Sequence, residues 1–203
     1  MDLKSSLQES KQNDTSKCRL LGFLHSLSIE YSLHSTPRFR TMDECKQLRG
    51  DIPGIFCKNL FVRDKKKQFY LISAHEDSVV DLKILRKELG AFKCLTFATR
   101  EELQEILQLE PGEVSPLALF QKLPSSTNIK VILDSVIFDS SHANFHPLDP
   151  EATLTLSTES LLHFLEVIGF QPIVHQFSKE EEETEELKQV EESLQSLNVE
   201  STE

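Results

Sequence analysis

A lysine and an asparagine stand side by side at positions 58 and 59, inside a segment that otherwise has the composition of a buried strand. From 55 to 62 the residues are mostly apolar or β-branched, a pattern typical of a strand. Because desolvating an ammonium group costs free energy, a lysine is seldom buried without a partner. Lys58 therefore either reaches solvent at a sheet edge or points into a cleft that binds an anion. The spacing leaves both alternatives open for Lys58 and Asn59.

Four cysteines offer a second candidate chemistry, which their spacing limits. They are widely separated and form no C-x-x-C pair, at positions Cys18, Cys45, Cys57 and Cys94. This arrangement predicts free thiols and argues against a zinc site or a disulfide framework. Cys57 could be a nucleophile with a lowered pKa, although a small core residue is the commoner role of such a cysteine. No nucleotide-binding glycine loop or metal-ligand spacing is present, so we expect no cofactor.

Length and composition bound the class of protein. The chain of 203 residues suffices for one domain of ordinary size with a sizeable core and an appendage. No apolar run approaches the roughly 20 residues that cross a bilayer. Residues 1–16 are polar and lack the apolar segment of a secretory signal. We therefore expect a cytoplasmic protein with no membrane partner.

The net charge of −11 is unevenly distributed along the chain. From Ser178 to the end there are ten acidic residues and two lysines, a net charge of −8. The preceding 177 residues carry 20 basic and 23 acidic side chains, a net charge of only −3. The rest of the chain is therefore nearly balanced in charge, and the net charge of the whole chain does not exclude a nucleic-acid partner.

The elements that must position these residues follow from periodicity and capping signals. Helices are predicted from Thr15 or Ser16 to about Leu27, and at 41–50, 81–89, 99 onward and 158–168, with a short helix through Phe120. Strands are predicted at 31–35, 55–62, 68–74, 92–97, 130–138, 153–156 and 172–177. The irregular alternation, with a hairpin between 55–62 and 68–74, predicts a mixed sheet with helices around it, an α+β fold.

Both ends of the chain differ in composition from the middle. Residues 1–15 are polar and without period, so we expect them to be disordered. The folded domain is expected at 16–177. Residues 178–203 form an acidic tail, in which an apolar face recurs at Leu187, Val190, Leu194 and Leu197. The tail is either a marginal helix, since short isolated helices are weak in water, or a docking helix for another protein.

Six short motifs follow one another along the chain, at 34–37 (HSTP), 57–64 (CKNLFVRD), 80–83 (VDLK), 111–119 (PGEVSPLAL), 144–148 (NFHPL) and 152–156 (ATLTL). Together they resemble the YbaK / prolyl-tRNA-synthetase-associated domain family, and in particular its free-standing members. Each motif is weakly specific alone, and their order and spacing make the resemblance specific. The match extends from about Leu20 to Phe177 and leaves both termini outside.

The resemblance implies a single domain with a mixed, strongly curved sheet flanked by helices. It also implies hydrolysis of the ester that joins a wrong amino acid, usually alanine, to the 3′ end of prolyl tRNA. Lys58 and Asn59 match the family's lysine and asparagine at the editing site. Gly112 matches a loop glycine whose backbone approaches the aminoacyl group. His146 matches the histidine of a Phe-His-Pro element, and could activate water, bind the α-amino group or support the loop.

Two further groups of residues complete the expected site. Selection for a small amino acid must come from the size of a pocket, whose walls we assign to Thr36, Phe61, Val114, Ser115 and Leu117. Transfer RNA should approach through a basic rim, in which we place Arg38, Arg63, Lys65, Lys66 and Lys67. The three consecutive lysines are equally well explained as the solvated tip of a hairpin.

The chain departs from the family pattern at two places. Glu113 follows the loop glycine where many relatives have a small hydroxyl residue, and Pro150-Glu151 replaces an Asn-Thr pair. A carboxylate facing the site would repel phosphate, but most glutamates point to solvent, which is the expectation for Glu113. These departures bear on efficiency and fine specificity more than on the reaction class.

Two alternatives stay open beside alanine-specific editing. One is a deacylase for another cargo, such as cysteine on prolyl tRNA. The other is a non-catalytic adaptor that binds tRNA and docks through its tail to prolyl-tRNA synthetase or a synthetase complex. Retention of Lys58, Gly112 and His146 together favours an enzyme. No DNA partner is expected.

Overall fold

The computed structural model describes the backbone of residues 3–38, 41–122 and 124–179. The acidic tail beyond Lys179, with its predicted amphipathic helix, lies outside the described residues. The helices are α1 Leu3–Ser26, α2 Met42–Leu48, α3 Leu82–Glu88, α4 Arg100–Ile106, α5 Ser135–Asp139 and α6 Thr158–Val167, with 3-10 helices at Pro116–Gln121 and Pro124–Ser126. The strands are β1 Tyr31–Ser35, β2 Ile55–Arg63, β3 Phe69–His75, β4 Ser78–Val79, β5 Thr96–Phe97, β6 Ile129–Asp134, β7 His142–Phe145, β8 Ala152–Ser157, β9 Ile173–His175 and β10 Ser178–Lys179.

One mixed sheet organises the domain. Seven strands follow the order β1-β8-β7-β2-β3-β6-β9, and β5 adds to β2 as an eighth strand. The β2–β3 hairpin is antiparallel, whereas β2–β7, β3–β6 and β6–β9 are parallel. Strands β10 and β4 form a separate antiparallel pair. The α+β fold expected from the sequence, with its hairpin at 55–62 and 68–74, is confirmed.

Strand β2 changes neighbour part-way along one edge. It pairs with β3 from Cys57 to Arg63. On its other edge β7 pairs with Ile55 and Phe56, and β5 pairs with Val62 and Arg63. Within the described part of the chain, no strand covers that edge from 57 to 60. The lysine and asparagine singled out in the sequence lie in this gap.

Both faces of the central sheet are buried, which explains the continuous apolar run of β3. Phe69 and Leu71 belong to the larger core cluster, together with Leu20 of α1 and Phe164 of α6. The residues that alternate with these along β3, such as Ile72, face the other side of the sheet and belong to a second cluster under α3. The hairpin is therefore held rigidly from both sides. No helix in the described ranges is long and apolar enough to cross a membrane.

The predicted helix-start signals are confirmed at two short helices. Thr41 accepts a hydrogen bond from the backbone N–H of Glu44 and caps α2. Thr99 and Glu102 form a complete capping box at the start of α4. Gly90 follows the last turn of α3 with a φ of +61°, the left-handed conformation that glycine adopts without strain.

Three elements have bounds other than those predicted. Helix α1 begins at Leu3 and not at Thr15 or Ser16, so the segment expected to be disordered is helical from Leu3 onward. The residues before Ser16 are mostly good or neutral helix formers, and extending a helix already anchored by Leu20 and Leu24 costs little. The strand expected at 92–97 is reduced to Thr96–Phe97. The last strand, expected at 172–177, is limited to Ile173–His175.

The segment after β6 was also predicted incorrectly. The expected strand 130–138 ends at Asp134, whose carboxylate accepts a hydrogen bond from the backbone N–H of Val136 and caps α5. The β-branched residues of α5 conceal the helix from a periodicity argument. Strand β7 was not predicted, because its four residues are too short to show alternation.

Gly54 lets the loop before β2 approach β7 closely, and this contact is testable. Its φ is +89°, and an added Cβ would lie 2.7 Å from the carbonyl oxygen of His142. Gly50 has a φ of +65° but open space around it. We expect Gly50→Ala to lower the free energy of unfolding by roughly 1–2 kcal/mol, from backbone strain alone. Gly54→Ala adds a backbone collision and should cost about 3 kcal/mol or more.

Chemical denaturation of the two variants beside the parent protein measures this difference. Equal losses for Gly54→Ala and Gly50→Ala would contradict the close contact between the loop and β7.

Candidate active site

A cavity of about 240 Å³ opens where β2 lacks a neighbour. Five of the residues assigned to the site from the sequence line it: Lys58, Asn59, Gly112, Val114 and His146. They come from three separate stretches of chain, which the sheet brings together. The remaining lining residues are Thr41, Cys45, Phe56, Cys57, Asn144, Phe145 and Thr153.

Lys58 is half-buried and lines the cavity. Its Nζ donates a hydrogen bond of 3.1 Å to the backbone carbonyl of Glu76. Of the two alternatives left by the sequence, this placement matches the one in which the ammonium faces a cleft.

Ion pairs anchor helix α2 to the turn after β3, whose Glu76 carbonyl binds Lys58. Arg49 forms a 2.6 Å ion pair with Glu76, and Lys46 forms one with Asp77. The hydrogen bond from Lys46 lowers the pKa of Asp77, so that carboxylate is ionised at neutral pH. These pairs attach α2, which carries the lining residue Cys45, to the turn that positions Lys58.

Asn59 is oriented by a residue that sequence reasoning missed. The Oγ of Ser73 donates a 2.7 Å hydrogen bond to Oδ1 of Asn59, and Ser73 is fully buried. The Nδ2 of Asn59 therefore points away from Ser73 and lies 3.5 Å from the carbonyl oxygen of Cys57. The sequence contained the information needed to predict this pair. A hairpin centred on 65–67 places Asn59 opposite Ser73, as the observed register does.

Gly112 occupies the third position of a tight turn. The N–H of Glu113 donates to the carbonyl of Glu110 at 3.1 Å, with Pro111 and Gly112 between them. Gly112 has a φ of +94°, as the third residue of a type II turn requires. An added Cβ would meet nothing within 4 Å, so the space beside the backbone is open to a ligand.

Glu113 does not point to solvent, contrary to expectation. Its side chain is buried, and Oε2 accepts a 3.1 Å hydrogen bond from the N–H of Glu110. The carboxylate thus fastens the same turn that its own N–H closes. Because that N–H is occupied, it is not available to a ligand, which leaves those of Gly112 and Val114 as the donors of the loop.

The tautomer of His146 follows from its hydrogen bond. Its Nδ1 lies 2.9 Å from the carbonyl oxygen of Ala152, which can only accept, so Nδ1 carries the proton. In the neutral ring Nε2 is then an acceptor. The structure gives His146 a fixed orientation on the cavity wall.

Asn144 has a structural task that the sequence did not reveal. Its Nδ2 donates to the carbonyls of Pro53 and Ile55, at 2.9 and 3.2 Å. Its Oδ1 accepts a 2.5 Å hydrogen bond from Thr155. These bonds tie β7 and β8 to the start of β2, at the end of the gap that forms the cavity.

The thiols of the site are unsuited to covalent catalysis. Burial, followed by the charges of Asp134 and Glu76, raises the pKa of Cys57 far above its ordinary value. Burial also raises the pKa of Cys45. Since the thiolate is the nucleophile, the interpretation of Cys57 as a nucleophile with a lowered pKa is corrected.

Four of the expected pocket residues lie away from the cavity lining. Phe61 stacks on Phe69 in the core with 5.2 Å between ring centroids, and Leu117 is fully buried. The hydroxyl of Ser115 caps the 3-10 helix by accepting from the N–H of Leu117. Thr36 lies one layer behind the wall, with its Oγ1 3.2 Å from that of Thr153. The structure therefore does not bring these four residues into the lining of this cavity.

The expected basic rim divides into two parts. Arg63 forms an ion pair with Glu102, the capping-box residue of α4, at 2.7 Å, and its expected contact with tRNA stays a prediction. Arg38 and the consecutive residues Lys65, Lys66 and Lys67 are exposed. They stay candidates for contact with phosphate.

One group of side chains in the described part of the chain has the geometry of a metal site. His75, Glu76 and Asp77 have donor atoms within 4.8 Å of one another. Arg49 and Lys46 already pair with its two carboxylates. The group is therefore better explained as the anchor of α2 than as a metal centre.

Comparison with known proteins decides the family. The family described as "Aminoacyl-tRNA editing domain" matches residues 36–164. The chain belongs to this family. That assignment confirms both the resemblance drawn from the sequence and the expected enzyme class, an aminoacyl-tRNA deacylase.

Curated relatives of this editing domain match over most of their length. "Prolyl-tRNA editing protein ProX" of Acetoanaerobium sticklandii is 32% identical over 154 residues, covering 75% of this chain and 92% of that protein. "Prolyl-tRNA synthetase associated domain-containing protein 1" of Bos taurus is 33% identical over 160 residues, covering 77% of this chain and 92% of that protein. The solved structure described as "a putative trans-editing enzyme for prolyl tRNA synthetase" has the same fold, with a TM-score of 0.62 at 23% identity, over 81% of this chain and 97% of that one.

The raised pKa of Cys57 leads to a prediction about reactivity. Cys18 is exposed, whereas Cys57 is half-buried and has a raised pKa. In the folded protein at pH 8, iodoacetamide should modify Cys18 at least tenfold faster than Cys57, because Cys57 is protonated and less accessible. Mass spectrometry of tryptic peptides measures the two rates, with the urea-unfolded chain as control. Comparable rates in the folded protein would show that Cys57 is an activated thiol.

Proposed function

We propose that the protein hydrolyses the ester of mischarged prolyl tRNA in trans, with alanine as the amino acid removed. The observation that carries this proposal is the convergence of Lys58, Asn59, Gly112 and His146 on one cavity. The names of the relatives, a prolyl-tRNA editing protein and prolyl-tRNA-synthetase-associated proteins, support prolyl tRNA as the substrate.

The proposed chemistry needs no covalent intermediate. An aminoacyl ester is already activated, so attack by water produces an oxyanion that the site must stabilise. Donors aimed at the position of that oxyanion, in a site that orients the ester, supply most of the acceleration. The N–H groups of Gly112 and Val114 and the amide of Asn59 are such donors. The raised thiol pKa values agree with a mechanism in which water is the nucleophile.

Lys58 supplies a fixed positive charge in this scheme. Anchored to the carbonyl of Glu76, its ammonium faces the cavity without having to reorganise. It stabilises either the phosphate of the terminal nucleotide or the developing charge on the ester. A half-buried site strengthens that interaction relative to open water.

His146 contributes an acceptor to the same scheme. With its Nδ1 proton held by Ala152, Nε2 accepts a hydrogen bond. The groups of the substrate complex that can donate one are the α-ammonium group of the amino acid and the attacking water. A fixed acceptor thereby orients the aminoacyl end against the loop of Gly112.

Selection for alanine rests on the size of the cavity. Its apolar wall is formed by Phe56, Val114 and Phe145, with Cys45 beside them. Apolar pockets discriminate poorly against a smaller side chain but strongly against one that does not fit. A cavity that accepts a methyl group and excludes the pyrrolidine ring would remove alanine and spare proline.

The test is hydrolysis of alanine-charged prolyl tRNA by the purified protein under single-turnover conditions. We expect the intact protein to release alanine and Lys58→Ala to lose activity by about 10²–10³-fold, as for removal of a preorganised charge. Lys122→Ala is the matched control, since Lys122 is also half-buried but does not line the cavity. Equal activity of Lys58→Ala and the parent would exclude Lys58 from the reaction.

The same assay with cysteine-charged and proline-charged prolyl tRNA resolves the cargo. Faster release of cysteine than of alanine would show that cysteine, and not alanine, is the preferred cargo. Tight tRNA binding without hydrolysis of any of the three would favour the adaptor.

Ser73 is predicted to act on catalysis only through Asn59. Ser73→Ala removes the hydrogen bond that fixes the amide, and should lower kcat by about tenfold with little change in KM. Asn59→Ala should lose at least as much, and the double variant should be no worse than Asn59→Ala alone. Kinetics of the three variants measure this cycle. Additive losses would mean that Ser73 affects activity by another route.

A further inference from the structure

A basic and aromatic surface lies beyond the cavity, along the same strand. It consists of exposed side chains at the tip of the β2–β3 hairpin and in the segment that leads into β5. We call it the Phe97 surface, and its members are Lys65, Lys66, Phe92, Lys93 and Phe97. None of these residues belongs to either buried core cluster, so packing does not account for the two phenylalanines.

A buried carboxylate joins the two halves of this surface. Asp64 accepts hydrogen bonds from the backbone N–H groups of Lys66 and Gln68 in the hairpin turn, and from that of Phe92 across from it. Burial raises the pKa of Asp64, but these three donors and the charge of Lys66 more than offset it, so the net shift is downward. The charged carboxylate therefore holds the lysine turn against the loop of Phe92 at neutral pH.

Two ammonium groups are placed by the ring of Phe92. The Nζ of Lys66 lies 4.5 Å from the ring centroid and that of Lys93 lies 5.5 Å from it. These are cation–π distances, which limit the freedom of two otherwise flexible side chains. The result is a pair of positioned cations, which bind phosphate at a lower entropic cost than freely moving lysines.

Phe97 lies between these cations and the cavity. It pairs with Val62 on β2, three residues beyond Asn59, which corresponds to about 10 Å along the strand. Phe97 is 61% exposed, the largest exposure among the large apolar residues in the described ranges. An exposed ring beside positioned cations is the arrangement with which proteins bind single-stranded nucleic acid.

We propose that the Phe97 surface binds the single-stranded nucleotides that precede the aminoacylated end of the substrate, with a base stacked on Phe97 and phosphates held by Lys66 and Lys93. This inference rests on the proposed function, since it places the RNA strand on the path that leads into the cavity. Single-stranded RNA fits the surface better than a protein partner, because positioned cations and an exposed ring match the alternating phosphates and bases of a strand.

Binding of a single-stranded RNA of about eight nucleotides, with no amino acid attached, tests the surface directly. Fluorescence anisotropy is measured with the full chain at several salt concentrations. Phe97→Ala should weaken binding about 5- to 100-fold and leave the salt dependence unchanged, because the lost interaction is stacking. The double variant Lys66→Ala/Lys93→Ala should lower the slope of log K against log salt by about 1.4, since each lysine contributes about 0.7.

Matched controls separate these effects from a change in the fold. Val174→Ala removes an equally accessible apolar side chain on β9, at 54% exposure. Arg19→Ala removes an exposed cation from α1. Both should bind the RNA as the parent protein does. A duplex of the same sequence should bind Phe97→Ala and the parent equally, because its bases are already stacked.

The inference is overturned if Phe97→Ala binds the single strand as tightly as the parent, or if Val174→Ala loses as much affinity. Equal losses on the single strand and the duplex would also overturn it, because they would exclude stacking. The probe carries no ester, so failure of the hydrolysis assay would refute the proposed function and leave this binding result intact. Conversely, if the protein hydrolyses the ester but Phe97→Ala binds RNA as the parent does, only the proposal for the Phe97 surface is refuted.

Discussion

The pairing of strand β2 is the constraint on which the site depends. Because β7 ends its contact at Phe56 and β5 begins at Val62, a stretch of strand stays rigid through β3 yet has one edge open. Rigidity and access usually conflict, since most irregular, accessible segments are loops. Here they coexist, and Lys58 and Asn59 gain both the fixed backbone of a sheet and contact with a cavity.

Hydrogen bonds from residues outside the cavity lining hold the side chains and the loop of the site in place. Glu76 holds Lys58 through its carbonyl while its carboxylate pairs with Arg49 of the adjoining wall. Ser73 donates a hydrogen bond to the Oδ1 of Asn59, and the carbonyl of Ala152 accepts one from the Nδ1 of His146. In each case a group outside the lining fixes a lining side chain, which is the support that preorganised donors require. Glu113 does the same for the Gly112 turn.

The sequence predicted those features that depend on local chemistry, and missed those that depend on long-range pairing. Thr99, Thr41 and Gly90 were assigned correctly because caps act within one turn. Lys58 and Asn59 stood out because polar residues are unusual in an apolar strand. Gly112 and His146 were assigned through the family resemblance, and Val114 through its place in the loop of Gly112. Strand β7 and the pairing of Arg63 with Glu102 depend on neighbours far along the chain, which periodicity does not reveal. The burial of Glu113 was missed although its carboxylate bonds to Glu110, three residues away, because a glutamate is expected at the surface by default. Phe61 and Leu117 were expected in the pocket but lie in the core. The sequence alone does not distinguish an apolar side chain that lines a pocket from one that packs in the core.

The central claim is that the aminoacyl end of tRNA lies in the gap beside β2. A crystal structure with 3′-alanylamino-3′-deoxyadenosine, in which an amide replaces the labile ester, tests it most directly. The account predicts the alanyl carbonyl against the loop of Gly112, with its α-ammonium group near Nε2 of His146 and Lys58 on the side of the nucleotide. An analogue bound elsewhere on the protein, with the cavity filled by solvent, would contradict it.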